Sequence, residues 1–363
     1  MPTELTIVHD YLTQRGGAER VVLVFAEAFP DAPILTSLYD PDDTFEAFGD
    51  LEVRTGILDR SAFLREHHRV ALPFLAPWFA SQHVDADVVL ASSSGWAHEA
   101  RTDGRLIVYC HAPARWLYQQ EQYLGRSTLR SFVGRAAMGV LGPPLRRADQ
   151  SAARRAATYL ANSTATAEVI RTLYRRDAEV LWPPPALTSD GPITPVDGLD
   201  AGFVLCVSRL LAYKQVGLVV DAARESPSLR YVMVGEGPLL GPLSEVAPPN
   251  VRFLGTVDDP TLRWCYAAAS VLVSVSFEDL GLTPLEAAAN GTPTVARRFG
   301  GYLDTVCDGE TGILLDEVNP VSIARAVESL AANPPGAATL DEHAAAFGKD
   351  RFVARLRDVV SSA

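Results

Sequence analysis

Close cysteine pairs are missing from this chain. Its four cysteines, Cys110, Cys206, Cys265 and Cys307, are widely spaced and sit in apolar or helical contexts. That disfavours a disulfide framework or a zinc site and suits buried thiols in a reducing compartment. No apolar run reaches transmembrane length. The opening Met-Pro-Thr-Glu-Leu-Thr-Ile-Val lacks the basic stretch of a secretion signal, so the expected location is cytoplasmic. Positive charge is also short. A net charge of −12 argues against a general nucleic-acid binder and against wholesale adhesion to anionic lipid. No Gly-Lys-Ser/Thr loop occurs, and no glycine run has dinucleotide-fingerprint spacing. P-loop hydrolysis and NAD-linked redox chemistry therefore lose ground.

What is present is ample apolar sequence. The 363 residues are 48% hydrophobic and 21% charged, which suits two packed domains of ordinary size. Short apolar strands are expected at Leu5–Val8, Ile34–Leu38, Val88–Ala91, Leu106–Tyr109 and Thr158–Ala161, with helices at Ala18–Phe29 and Ser163–Leu173. Continuous rather than alternating apolar character points to a parallel sheet covered on both faces. The proline-rich stretch Trp182–Pro195 breaks the pattern, and residues 183–200 read as a linker. A second series follows, at Phe203–Val207, Tyr231–Val234, Val251–Leu254, Val271–Val275 and Thr294–Ala296. Val216–Ala223, Pro260–Ala269 and Pro284–Asn290 supply its helices. The expected fold class is α/β: two doubly wound, Rossmann-like domains, at 1–182 and 201–339, facing a central cleft. Residues 340–363 read as an amphipathic helical tail that could dock on either domain.

The most informative stretch is Ser276-Phe-Glu-Asp-Leu-Gly-Leu-Thr-Pro-Leu-Glu286. Gly281 permits a sharp turn, and Thr283 and Pro284 read as a helix N-cap and first helical residue. Two carboxylates, Glu278 and Glu286, then flank a helix N-terminus that favours an anion. Hydroxyls at both ends with phosphates between them describe a nucleotide-sugar. Thr283 and Glu286 also have capping-box spacing, so a purely structural reading stands beside this one.

Other candidates fall at strand ends. Arg209 and Lys214 follow the first strand of the second series and could clamp a diphosphate, or be solvated surface cations. Gly235 opens Gly-Glu-Gly-Pro after the next strand, fitting close backbone approach to a ligand or a plain tight turn. Gly16 and Gly17 open a helix after the first strand and fit a phosphate or sugar contact. His111 ends the strand Leu106–Tyr109 within Cys-His-Ala-Pro-Ala-Arg-Trp116 and could serve a sugar hydroxyl or a proton, with His9 a weaker candidate. Arg126, Arg130, Arg135, Arg146, Arg147, Arg154 and Arg155 are opposed in sequence by Asp149 alone. This cluster, with apolar residues in His67–Phe79, is a candidate for an anionic acceptor or for peripheral membrane contact, against an ordinary solvated face. Asp40-Pro-Asp42 and Asp85-Ala-Asp87 read as structural turns rather than metal-diphosphate ligands, so no essential metal is expected.

Together these residues resemble glycosyltransferase family 4, the retaining enzymes of the two-domain GT-B fold. The likeness rests on Glu278-Asp-Leu-Gly-Leu-Thr-Pro-Leu-Glu286 with Ala-Ala-Ala-Asn-Gly-Thr-Pro after it, Val207-Ser-Arg209 with Lys214, Gly16-Gly-Ala-Glu19 and Ala161-Asn-Ser163. Tyr109-Cys-His-Ala-Pro and Gly300-Gly-Tyr-Leu-Asp-Thr-Val306 look most like its lipopolysaccharide-type mannosyltransferase branch. The resemblance implies that Glu278 contacts donor-sugar hydroxyls and Glu286 the ribose. It implies that Arg209 and Lys214 bind the diphosphate with amides near Leu282 and Thr283. Gly16 and Gly17 would approach phosphates and sugar from the other domain, and His111 would face the reacting sugar. The implied donor is GDP-mannose, used without a protein nucleophile, and the acceptor a glycan, lipid-linked or small-molecule hydroxyl. Leu280, Asp304 and Leu117-Tyr-Gln119 depart from the family pattern. A nucleotide-sugar epimerase or hydrolase and a catalytically silent binding module are the alternatives.

Overall fold

The computed structural model describes residues 4–118 and 129–362, and the side chains of these except at 68–70, 72–73, 116 and 129–141. The chain divides into two units, residues 1–183 with 349–363, and residues 184–348. The first carries a seven-stranded sheet in the order β3-β2-β1-β4-β5-β6-β7. Its strands are β1 Leu5–His9, β2 Ile34–Thr36, β3 Val53–Arg54, β4 Val88–Ser93, β5 Arg105–Cys110, β6 Thr158–Ala161 and β7 Glu179–Val180. The second has six strands in the order β10-β9-β8-β11-β12-β13. These are β8 Phe203–Val207, β9 Tyr231–Val234, β10 Val251–Gly255, β11 Ala269–Ser274, β12 Thr294–Arg297 and β13 Gly312–Leu315. The strand pairs within each sheet are parallel.

The unbroken apolar runs are explained by burial on both faces. In the first unit Val8, Val89, Ala91 and Val108 pack into one core with Leu75, Trp78 and Phe79 of the helix His68–Ser81. Their alternate neighbours Ile7, Val88, Leu90 and Ile107 pack into the other, with Val22 and Phe25 of the helix Gly17–Ala28. Successive strand side chains point to opposite faces, so a strand covered twice has no polar alternation. The second unit repeats this, with Val204, Val271 and Val273 on one face and Phe203, Leu205 and Leu272 on the other.

Two sequence expectations need correcting. Residues 340–363 do not act as one tail. The helix Ala337–Ala345 packs within the second unit through Leu340 and Ala344 against Ala288. The helix Lys349–Ser361 instead completes the first unit's core, with Phe352 stacked 6.1 Å from Phe25 and Leu356 fully buried. The linker expected at 183–200 belongs, from Pro184 on, to the second unit. Leu187 belongs to the second unit's core, and the Arg263 guanidinium donates to the carbonyls of Thr188 and Pro192.

A polar cluster ties the first unit together. His98 and Asp149 form a fully buried pair 3.1 Å apart, and the Tyr118 and Tyr174 hydroxyls donate to Asp149. Burial opposes the charged form of His98, but the hydrogen bond and charge of Asp149 prevail and raise its pKa. Next to it, burial pushes the Glu99 carboxyl up to about 7.

Two predictions follow from this packing. Leu356→Ala should destabilise the first unit by about 2–5 kcal/mol, because a fully buried leucine is removed from a core assembled across the chain; urea denaturation measures it. Glu99 keeps its proton in the folded state over a range, between 4.5 and about 7, where the unfolded chain has lost it. Its contribution is therefore fully present below that range and lost as pH rises through it. Glu99→Gln should remove this falling slope from the stability profile. His111, with its pKa lowered by burial, slopes the opposite way, so the wild-type-minus-variant difference is the quantity to read.

Candidate functional site

In the second sheet the strand order reverses between β8 and β11. The loops leaving the carboxyl ends of two such strands diverge, and ligands of doubly wound sheets bind in the crevice this opens. The loop after β8 carries Arg209 and Lys214, and the loop after β11 carries Glu278. Topology thus brings together residues separated by 64 positions: Lys214 Nζ forms an ion pair with Glu278 Oε1. Both side chains are largely enclosed, at 14% and 18% exposure, so solvent screens this pair less than a surface pair. Ser276 Oγ donates to the same carboxylate oxygen at 2.8 Å.

The Glu278 loop is held by a backbone-to-backbone fit. A Cβ at Gly301 would lie 2.1 Å from Leu280 Cα, and one at Gly300, where φ is +60°, would lie 2.1 Å from the Glu278 carbonyl oxygen. Gly301 N–H donates to that same carbonyl at 3.1 Å. Gly281, at φ +79°, sits against the buried Tyr302 ring. The Tyr302 hydroxyl meets Ser274 Oγ at 2.7 Å and Ser276 Oγ at 3.0 Å. Tyr302 and the two serines were not singled out from sequence. Their signal was the glycine pair next to Tyr302, whose close partner lies more than 20 residues upstream.

The helix following this loop begins earlier than its sequence suggested. It spans Leu282–Ala289, with Gly281 in the cap position and no side-chain cap. The Thr283 cap is therefore corrected. Left-handed Gly281 makes the turn, so Thr283 is already helical, 3.4 Å from Ser274 Oγ. The capping-box role of Glu286 falls with it, since Glu286 lies more than a turn into the helix. Its carboxylate, 7% exposed, instead accepts a 2.7 Å hydrogen bond from Tyr266. Leu282 and Thr283 supply N–H groups that have no acceptor within the helix.

Around the cations, Arg209 is exposed and donates to the Tyr213 hydroxyl at 3.1 Å, while Lys214 Nζ lies 5.2 Å above the Tyr213 ring. Gln215 next to Lys214 adopts φ +55°, a costly conformation for a side chain of this kind. Arg297, at the end of β12, donates to Gln215 Oε1 and, at 3.0 Å, to the Val275 carbonyl. Its guanidinium lies 4.2 Å over the Phe277 ring. One side chain so braces both loops. Gly235 has an internal reason to be glycine: at φ +125°, a Cβ there would lie 2.1 Å from the Ser208 carbonyl oxygen.

The first unit presents a different cluster. His9, Ser92 and His111 meet at the carboxyl ends of β1, β4 and β5, flanking that sheet's own order reversal. Burial and neighbouring His9 lower the His111 pKa to about 3, so the imidazole is neutral. Gly16 caps the helix Gly17–Ala28, and a Cβ on it would lie 2.5 Å from Glu19 Oε2.

Other sequence candidates go elsewhere. Asp42 N–H donates to Asp40 Oδ1 at 3.2 Å, and Glu4 N–H, 83 positions away in sequence, to Asp87 Oδ2 at 2.9 Å, so one carboxylate of each Asp-x-Asp pair accepts from backbone. Asp149, the one acid within the arginine run, is buried against His98. Arg126 and Gln119 lie outside the described residues, as do the side chains of Arg130 and Arg135. Leu75, Trp78 and Phe79 are core, leaving Phe74 exposed. Among the described residues, no helix is long and apolar enough to cross a membrane.

With the site in place, comparison with known proteins is direct. Residues 198–349 match the family model described as "Glycosyl transferases group 1". This segment is similar to group 1 glycosyltransferase domains. A GDP-mannose-dependent alpha-(1-6)-phosphatidylinositol monomannoside mannosyltransferase of Mycolicibacterium smegmatis is 33% identical over 39% of this chain and 41% of its own. A D-inositol 3-phosphate glycosyltransferase 2 of Catenulispora acidiphila is 35% identical over 45% of this chain and 43% of its own. The chain therefore spans less than half the length of these curated relatives. Among solved structures, sucrose-phosphate synthase from Thermosynechococcus elongatus aligns with TM-score 0.75 at 18% identity, over 99% of this chain and 98% of that one. Anabaena Alr3699/HepE in complex with UDP-glucose aligns with TM-score 0.70 at 18% identity, over 99% and 100%. At such identity these likenesses speak to fold, and the fold is GT-B: two parallel-sheet α/β domains. The matched segment contains the Lys214–Glu278 pair and both loops that carry it.

The fit around the Glu278 loop can be tested by two glycines of equal φ. Gly281 and Gly291 both have φ +79°, but only Gly281 has Tyr302 against it, whereas a Cβ at Gly291 meets nothing within 4 Å. Gly291→Ala should cost about 1 kcal/mol. Gly281→Ala should cost a further ~1–3 kcal/mol from overpacking. Equal losses in denaturation experiments would remove Tyr302 from this account.

Proposed function

We propose that the protein is a retaining glycosyltransferase that moves a hexose from a nucleotide-diphosphate sugar to an acceptor hydroxyl. The observation carrying this reading is the Lys214–Glu278 pair at the β8/β11 reversal, beside the N-terminus of the helix that holds Glu286. Arg209, Lys214 and the Leu282 and Thr283 amides offer positive potential for a diphosphate. Glu278 and Glu286 offer carboxylate acceptors on either side, suited to sugar and ribose hydroxyls. The Tyr266 bond fixes the Glu286 carboxylate in advance of binding. Donor phosphate would compete with Glu278 for Lys214, freeing the carboxylate as the cation engages the leaving group.

GDP-mannose is the favoured donor. The GDP-mannose dependence of the Mycolicibacterium relative and the branch resemblance of Tyr109-Cys-His-Ala-Pro support it, while HepE was crystallised with UDP-glucose. The reaction is proposed to need no metal, because Arg209, Lys214 and helix amides supply the positive charge and one carboxylate of each Asp-x-Asp pair accepts from backbone. The acceptor is a glycan, lipid-linked or small-molecule hydroxyl. Gly16, Gly17 and His111 are proposed to serve substrate from the first unit.

A donor panel tests this first. GDP-, UDP-, dTDP- and ADP-sugars are compared for thermal stabilisation and slow hydrolysis; stabilisation ranks affinity without a known acceptor. GDP-mannose should shift Tm most, and chelator should leave turnover unchanged. Lys214→Ala should weaken donor binding. Glu278→Ala should lower turnover on the order of 10²-fold while the fold is kept. Normal turnover by a folded Glu278→Ala protein would overturn the site, and binding without any turnover would favour a silent binding module.

A further inference from the structure

The histidine cluster of the first unit has a determinate hydrogen pattern. His9 Nδ1 lies 3.2 Å from the Ser92 carbonyl oxygen and 3.0 Å from Ser92 Oγ. A carbonyl only accepts, so His9 Nδ1 carries hydrogen and donates into Ser92. Ser92 is fully buried, and its hydroxyl hydrogen then needs an acceptor. Among the described residues, the remaining partner of Ser92 Oγ is His111 Nε2, at 2.9 Å. That nitrogen must be the bare one. In a neutral imidazole the hydrogen then sits on Nδ1.

We propose that Ser92 is the positioning residue for His111, fixing it as the Nδ1–H tautomer that offers a hydrogen-bond donor to a substrate oxygen. The inference rests on the transferase reading for what that oxygen belongs to, a sugar hydroxyl or a phosphate. The same pattern excludes His111 as general base. Its one basic nitrogen is occupied by the Ser92 hydroxyl, and the other has a hydrogen already. His9 stands behind Ser92 as the group that sets the direction of the chain, with its Nε2 3.9 Å from Glu19 Oε1. The β1–β4 register, in which His9 faces Ser92 directly, builds this arrangement into the sheet.

The test is nitrogen-15 NMR of histidine-labelled protein, with His111→Gln used to assign the signal. The expected wild-type result is hydrogen on Nδ1 and none on Nε2. Ser92→Ala should lose this preference, and Ser92→Thr, which keeps the hydroxyl, should retain it. Hydrogen on Nε2 in the wild type, or an unchanged tautomer in Ser92→Ala, overturns the proposal; the wild-type measurement decides even if the alanine variant does not fold. In GDP-mannose hydrolysis, Ser92→Ala should lower kcat roughly tenfold with KM little changed, as for hydrogen-bond partners behind other functional histidines. Full kcat in that variant overturns the positioning role. Absence of turnover in the wild type, with the tautomer as expected, would instead fault the transferase reading and leave the hydrogen pattern standing.

Discussion

The contact on which the second unit's site depends is between two stretches of backbone. Glu278–Gly281 lies directly against Gly300–Tyr302, closely enough that a methyl group at Gly300 or Gly301 would overlap main-chain atoms. Backbone atoms cannot move aside as a side-chain tip can, so this contact sets the height and direction of the whole loop. Tyr302 adds the lateral constraint, its ring under Gly281 and its hydroxyl on Ser274 and Ser276. Glu278 is thereby presented to Lys214 from a surface that is fixed before any ligand arrives. Preorganisation of this kind lowers the ordering cost of binding.

The two sheets use the same topological opportunity for different chemistry. Each reverses its strand order next to its first strand, and each collects polar side chains there. In the second unit these are an exposed Arg209 and the half-buried Lys214 and Glu278. In the first they are buried: His9, Ser92 and His111. Burial explains the division. A buried imidazole surrounded by hydroxyl and imidazole partners is favoured uncharged, so it can direct a hydrogen bond but not carry a charge.

Much of the fold could be read from the chain because its strands are buried on both faces. Thr158–Ala161, Phe203–Val207 and Tyr231–Val234 have the bounds expected from their apolar runs. Short edge strands such as Val53–Arg54 and Glu179–Val180 left no such trace, since an exposed edge carries no apolar signature. The helix start at Leu282 was misplaced because the Thr-Pro cap signal competes with a left-handed glycine, and local propensity cannot rank the two without the Tyr302 ring that receives Gly281.

By itself the sequence determined the α/β class, the two strand series and the clustering of Arg209, Lys214, Glu278, Glu286 and His111 at strand and helix ends. These follow from short-range rules of burial period and turn chemistry, which operate over a few residues. Tertiary structure alone decided which of them meet. The Lys214–Glu278 pair, the Tyr266–Glu286 bond, the Arg297 brace and the His9–Ser92–His111 chain all join residues far apart along the chain. It also decided that the last helix returns to the first unit. Such pairings depend on sheet register and on backbone shape at glycine, quantities that exist only once the strands have found their neighbours.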